Sequence, residues 1–85
     1  MAFYVYIIQS EVDGTYYIGS TQDIDERLER HNQGRSKYTK TKRPWKLVYS
    51  EEHPTRPVAI KREKEIKSRK KKIYIDTLVR TSRQI

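Results

Sequence analysis

The chain has 85 residues, no cysteine and a formal net charge of +8. That length makes one domain with a modest core and no second module, and the missing cysteines exclude a disulfide framework and a thiolate zinc site. No apolar run approaches the roughly 20 residues that span a bilayer, and the apolar start MAFYVYIIQS has neither a basic leader nor a small-residue cleavage site. A reduced, soluble, cytoplasmic protein with no membrane partner is expected.

Phe3–Ser10 and Thr15–Ser20 are rich in β-branched and aromatic residues, and the Asp13-Gly14 turn signal between them predicts a β-hairpin. Alternation along the first strand puts Phe3, Val5 and Ile7 on one face and Tyr4, Tyr6 and Ile8 on the other. Asp23 and Glu26 have capping-box spacing, with Ser20 or Thr21 as alternative caps, and Gly34 suits the position just past a helix end. A first helix is therefore expected from Asp23 to Gln33. Ile24 and Leu28 form its thin apolar stripe, which turns Arg27 and His31 onto an adjoining face as neighbours. Residues 35–43, RSKYTKTKR, have no apolar period and read as a basic loop.

Trp45–Ser50 reads as a third strand between Pro44 and Pro54, and Thr55 with Pro57 resembles the cap and first turn of a second helix from Arg56 to about Lys71. Ala59, Glu63, Ile66, Lys70 and Ile73 fall on one helical face, so Glu63 interrupts an inward-facing stripe. Ile73–Val79 predicts a short terminal helix before residues 80–85 fray. The element order is β-β-α-β-α(-α).

Charge is unevenly placed: residues 1–34 carry −4 and residues 35–85 carry +12. Each Lys or Arg that meets a phosphate releases condensed counterions, so nucleic acid is the leading partner. A solubilising surface, or attraction to an anionic membrane, is the alternative.

Glu63 is the most informative single residue, because an unpaired carboxylate on a core-facing stripe costs several kcal/mol. A hard divalent cation would meet it, since such ions commonly use one or two carboxylates with waters and phosphate oxygens. An ion pair with Arg27, or with Lys67 one turn on, is the structural alternative. Tyr6 and Tyr17 on paired strands are ordinary core-edge residents, and Arg27 with His31 is ordinarily a solvated or salt-bridged helix face. Their combination is more specific than any one of them.

Tyr4-Val5-Tyr6, then Tyr17-Ile18-Gly19-Ser20-Thr21, then Arg27 and His31 within DERLERHNQG, follow one another in an ordered spacing. This set resembles the GIY-YIG nuclease family. The likeness continues through SKYTK, WKLVYSEE and AIKREKEIKS, and is greatest to the family's small standalone single-domain members. It implies an α+β fold (an α/β sandwich), a three-stranded antiparallel sheet flanked by helices, in one domain over residues 1–85. The first motif departs from the family name, with Tyr4 and Val5 in place of glycine and isoleucine, and Ser20 stands where some relatives carry lysine.

Carried over residue by residue, the resemblance makes Tyr6 and Tyr17 the motif tyrosines, Arg27 the phosphate-binding arginine, His31 a supporting histidine and Glu63 the ligand of a divalent ion, Mg²⁺ or Mn²⁺. The implied activity is hydrolysis of DNA phosphodiester bonds, in repair or recombination, with Tyr6 expected as general base and Tyr17 as its support. Ser36, Lys37, Tyr38, Thr39, Lys40, Lys42 and Arg43 offer hydroxyl, aromatic and cationic contacts to nucleic acid. Relatives with a defined target usually borrow specificity from an attached domain, so structured or single-stranded DNA and a specificity-giving protein partner are the partners implied. A nucleic-acid-binding module without turnover is the competing reading.

Overall fold

The computed structural model describes residues 2–69 and 71–82, so Lys70 of the expected stripe and the last part of the expected frayed tail, 83–85, lie outside the described residues. Strands β1 (Phe3–Ser10), β2 (Tyr16–Thr21) and β3 (Trp45–His53) alternate with helices α1 (Ile24–Asn32), α2 (Arg56–Arg69) and α3 (Lys72–Ser82) in the order β-β-α-β-α-α. The sheet is antiparallel with β1 in the centre, in the order β2-β1-β3. No helix among the described residues is long and apolar enough to cross a membrane.

A central strand is buried on both faces, and the alternation of β1 divides the interior in two. Val5 and Ile7 pack with Ala59 and Ile66 of α2 and with Ile75 and Val79 of α3. Tyr6 and Ile8 face the other way, packing with Trp45, Tyr17 and the α1 stripe of Ile24 and Leu28. Pairing of Tyr6 with Gly19 and of Ile8 with Tyr17 sets the two motif tyrosines diagonally on this α1 face.

One irregularity in β3 shapes both faces. Ile7 pairs with Tyr49 but Ile8 pairs with Leu47, so the ladder carries a register shift at Val48. The extra residue reverses the alternation. Tyr49, Glu51 and His53 therefore join the Val5 and Ile7 face while Trp45 joins the Tyr6 and Ile8 face. Unbroken alternation would have put Trp45 with Tyr49.

The first helix starts where its cap predicts: the Asp23 side chain accepts from the Glu26 N–H at 3.0 Å. It ends at Gly34, whose φ of +80° glycine adopts without strain. Asn32 fastens that end to β3, accepting from the Trp45 N–H at 2.6 Å and donating to the Trp45 carbonyl at 3.0 Å. The intervening loop contains a 3₁₀ turn, Lys40–Lys42, which its lack of apolar period did not signal.

The second and third helices separate close to the expected boundary, but the stripe that was to run on to Ile73 does not continue. α2 ends at Arg69 and α3 begins a new phase, turning Ile75 and Val79 inward and leaving Ile73 71% exposed. Ala59 and Ile66 are buried as expected, and Glu63 between them is 18% accessible at its side chain, a rim position.

Candidate active site

Tyr6 is the buried centre of the site. Its hydroxyl lies 3.1 Å from His31 Nε2, and the other imidazole nitrogen, Nδ1, lies 2.9 Å from the Thr39 hydroxyl. Gly19 makes room for the phenol, since a Cβ at that position would sit 2.5 Å from the Tyr6 hydroxyl oxygen. Burial pushes the Tyr6 pKa up to about 12, with Tyr17 and Glu63 raising it further and Arg27 opposing them. His31 is pushed below its ordinary value by burial and by the charges of Arg27 and Arg30. Both groups are thus held neutral at pH 7.

Those same influences show which predicted residues come together. Tyr17 and Arg27 both act on the Tyr6 phenol, whereas Glu63, on α2 against the opposite face of the sheet, reaches it only through its charge and does not line the cleft that they share with His31. Tyr17 stands edge-on to His31 at 4.8 Å between ring centroids. Tyr17, Arg27 and His31 line an open cleft of about 280 Å³, together with Arg30, Arg35 and Ser36. Tyr6 stands behind this wall, buried, while Tyr17 fronts it.

Arg27 is the anomaly of the cleft. Its Nε is buried and has no hydrogen-bond partner among the described residues. A buried donor left unmade costs about 1–3 kcal/mol, and this one belongs to a side chain that also lines the open cleft. Arg27 also forms part of a second cleft, with Ser20, Thr21 and Arg56.

Glu63 does not pair with Arg27. Its Oε2 accepts from Lys67 Nζ at 2.6 Å, the pairing one helical turn on. Among the described residues no three His, Cys, Asp or Glu side chains gather as a ready metal cage. The donor set therefore suits a hard ion that takes one carboxylate and completes its shell with waters and substrate oxygens. Glu63 fits that description, with a paired lysine that is half-exposed and free to swing away.

The basic loop divides by placement. Ser36 lines the cleft, and Lys37, Tyr38 and Lys40 face solvent, Tyr38 with its ring 5.9 Å from that of Tyr17. Lys42 turns back to Asp13 at 3.2 Å, and Arg43 folds over Gly34, its Nε bonded to the Lys40 carbonyl at 2.8 Å. Thr39 is fully buried, its carbonyl held by Trp45 Nε1 at 2.9 Å. Three of the seven loop residues thus serve the protein's own structure. Arg30 and Arg35 enter the cleft without having been singled out from the sequence. For Arg30 the signal was present, since it lies three residues beyond Arg27 on one helix face.

Comparison with known proteins agrees with this fold. Residues 2–76 match the model of the GIY-YIG catalytic domain. A UPF0213 protein of Staphylococcus saprophyticus is 48% identical over 75 residues, covering 85% of this chain and 90% of the relative. One from Staphylococcus aureus is 47% identical over the same shares. The solution NMR structure of a UPF0213 protein from Bacillus halodurans superimposes with a TM-score of 0.54 at 36% identity, covering 91% of this chain and 85% of that one. The ordered tyrosines, the cleft arginine and the sheet that carries them thus have one explanation: the chain belongs to the GIY-YIG family, nucleases that act on nucleic acid and generally use divalent metal ions.

Proposed function

We propose that this protein is a Mg²⁺- or Mn²⁺-dependent DNA endonuclease, acting on structured or single-stranded DNA in repair or recombination. The observation that carries the reading is Arg27, which lines a cleft with Tyr17 and His31 and keeps a buried Nε without a hydrogen-bond partner among the described residues. A planar guanidinium suits the non-bridging oxygens of a phosphodiester, and charge that builds there during hydrolysis is stabilised by donors already in place.

Burial of Tyr6 supports the opposite order of the two tyrosines from the one expected from the sequence. A phenol pushed up to about 12 is a hydrogen-bond donor at neutral pH and a poor base. Tyr6 is therefore assigned to donate, and Tyr17, on the open side, to activate the attacking water with positive charge from Arg27, Arg30 and Arg35 around it. Glu63 is the residue that would hold the metal ion. A bound Mg²⁺ or Mn²⁺ supplies Lewis-acid stabilisation of the phosphate and leaving oxygen, and offsets the negative charge by which Glu63 raises Tyr6. Ser36, Lys37, Tyr38 and Lys40 offer the flanking contacts, with Tyr38 presenting a ring for an unpaired base.

The Glu63–Lys67 pair favours a second reading, a binding module that holds DNA without cutting it. Both are tested by incubating purified protein with labelled duplex, branched and single-stranded DNA, with and without Mg²⁺ or Mn²⁺, beside Glu63→Ala and Arg27→Ala. Metal-dependent cleavage lost in both variants is expected. Cleavage unchanged in both would reveal a contaminating nuclease, and binding without cutting on every substrate would establish the second reading.

A further inference from the structure

Thr39 sits in the middle of the basic loop, where a hydroxyl would ordinarily meet solvent or phosphate, yet it has 0% exposure. Two anchors hold it: its carbonyl accepts from the Trp45 indole at 2.9 Å, and its hydroxyl lies 2.9 Å from His31 Nδ1. The Nδ1 contact is the one hydrogen bond of the Thr39 hydroxyl among the described residues. On the far side of the same ring, Nε2 meets the Tyr6 hydroxyl at 3.1 Å. Thr39, His31 and Tyr6 thus form a row that runs from the loop to the phenol.

A neutral imidazole has one N–H, so this row has two arrangements. In one, Tyr6 donates to Nε2 and Nδ1–H donates to Thr39. In the other, Thr39 donates to Nδ1 and Nε2–H donates to the Tyr6 oxygen. A buried hydroxyl proton without an acceptor is costly, and the two ends of the row are not equal in this respect. Thr39 is fully buried and has no second acceptor among the described residues, so its proton goes to Nδ1. Tyr6, although itself buried, is hydrogen-bonded by Arg27, which lines the open cleft, and a phosphate oxygen held by Arg27 is the acceptor assigned to the phenol proton.

From this geometry we infer that Thr39 is a positioning residue: its hydroxyl donates to His31 Nδ1, fixes the Nε2–H tautomer, and thereby aims the Tyr6 O–H at the substrate phosphate. The inference rests on the nuclease reading for its kinetic consequence but not for its chemistry. It also explains why the loop that contacts nucleic acid is tied to the site through a buried threonine. Residues on either side of Thr39, Tyr38 and Lys40, face solvent, so the segment that binds substrate also sets the proton on the histidine.

The test has two arms, one of which does not need activity. Nitrogen-15 NMR of the imidazoles in the wild-type chain, at a pH where both are neutral, assigns the tautomer; with two histidines, His31→Gln identifies the resonances. A proton on Nε2 of His31 is expected, and a proton on Nδ1 overturns the inference even if the protein cleaves DNA. In the second arm, Thr39→Val removes the hydroxyl at constant shape and Thr39→Ser restores it. Thr39→Val is expected to lower cleavage about tenfold or more at unchanged DNA affinity, the loss typical of removing an orienting partner, and to blur the single-tautomer spectrum. Thr39→Ser is expected to recover both. A serine variant no better than the valine one, or a valine variant with wild-type rate and spectrum, also overturns it. A wild-type chain that shows the Nε2–H tautomer but cuts no DNA leaves the row intact and removes only the nuclease reading.

Discussion

The two faces of the sheet both bury ionisable side chains and raise a tyrosine on each, Tyr49 and Tyr6, but they treat the groups around those phenols differently. On the α2 side Glu51 is met by Tyr49, by His53 at 2.9 Å and by Arg62 at 2.7 Å, and Arg62 continues to Glu65. Burial raises the Glu51 carboxyl, but the hydrogen bonds from Tyr49, Arg62 and His53 outweigh it and hold its pKa below the ordinary value. The hydrogen bond to Glu51 drives Arg62 up, so both partners favour their charged forms. On the α1 side Tyr6 is driven up and His31 down, so both favour their neutral forms, and Arg27 keeps a buried nitrogen unmatched. Polar groups that satisfy one another lock a fold. Those held neutral or unmatched keep their capacity for a charged ligand, and that difference distinguishes the proposed nucleic-acid face more clearly than burial does.

Exchanging alanine for the arginine on each face breaks the comparison most directly. Arg27→Ala is expected to lower cleavage by about 100-fold or more, as when a preorganised donor to developing charge is removed, while stability stays level or rises because an unmatched donor is gone. Arg62→Ala is expected to do the reverse, costing about 2 kcal/mol of stability by stranding Glu51 while leaving the rate per folded molecule intact. Cleavage assays and urea unfolding read the two effects. A loss of rate in Arg62→Ala at full folding would erase the distinction.

Next in size is Gly19→Ala, which collides with the Tyr6 hydroxyl in a packed interior. Overpacking of this kind costs about 1–3 kcal/mol, and the shifted phenol is expected to lose its contact with His31. Acidification then separates the faces with smaller effects. For both His31 and Glu51 the folded pKa lies below the unfolded one, so the unfolded chain binds protons more readily and falling pH removes stability. The windows differ. His31 begins to remove stability as pH drops below about 6.5, and Glu51 only below about 4.3. Thermal melts against pH are expected to lose the upper limb in His31→Gln and the lower one in Glu51→Gln; a single limb insensitive to His31→Gln would contradict the neutral histidine.

Much of this was legible in the sequence, for identifiable reasons. The hairpin, the Asp23 cap and the two faces of β1 follow from local rules that tertiary contacts do not override. The face shared by Arg27 and His31 follows from helical spacing alone. The register shift at Val48 does not show in WKLVYSEEH, because a bulge is chosen by the partner strand and by where Trp45 must pack. Nor does the exposure of Ile73: the break between the two helices was legible, but spacing alone set Ile73 in line with Ala59 and Ile66, and the new phase of α3 turns it outward. Thr39 was legible as a polar loop residue but not as a buried one. Its environment is made by α1 and β3 together, and no local pattern encodes that meeting.

Lys67→Ala produces the smallest expected effect and probes a closed ion pair on α2, at the carboxylate proposed to hold the metal. Lys67 is half-exposed, so its i, i+4 bond to Glu63 contributes only about 0.3–0.5 kcal/mol. If Glu63 holds the metal, the bond must be broken for the ion to enter, and the same energy is subtracted from metal binding. Lys67→Ala is therefore expected to lose a few tenths of a kcal/mol in stability and to bind Mn²⁺ about twofold more tightly, since that energy corresponds to about a factor of two in a binding constant. Titration of Mn²⁺ followed by paramagnetic broadening of nearby resonances reads the affinity without requiring cleavage. An unchanged or weaker affinity would mean that ion and lysine do not compete for one carboxylate, and Glu63 would then belong with Glu51 as a structural partner.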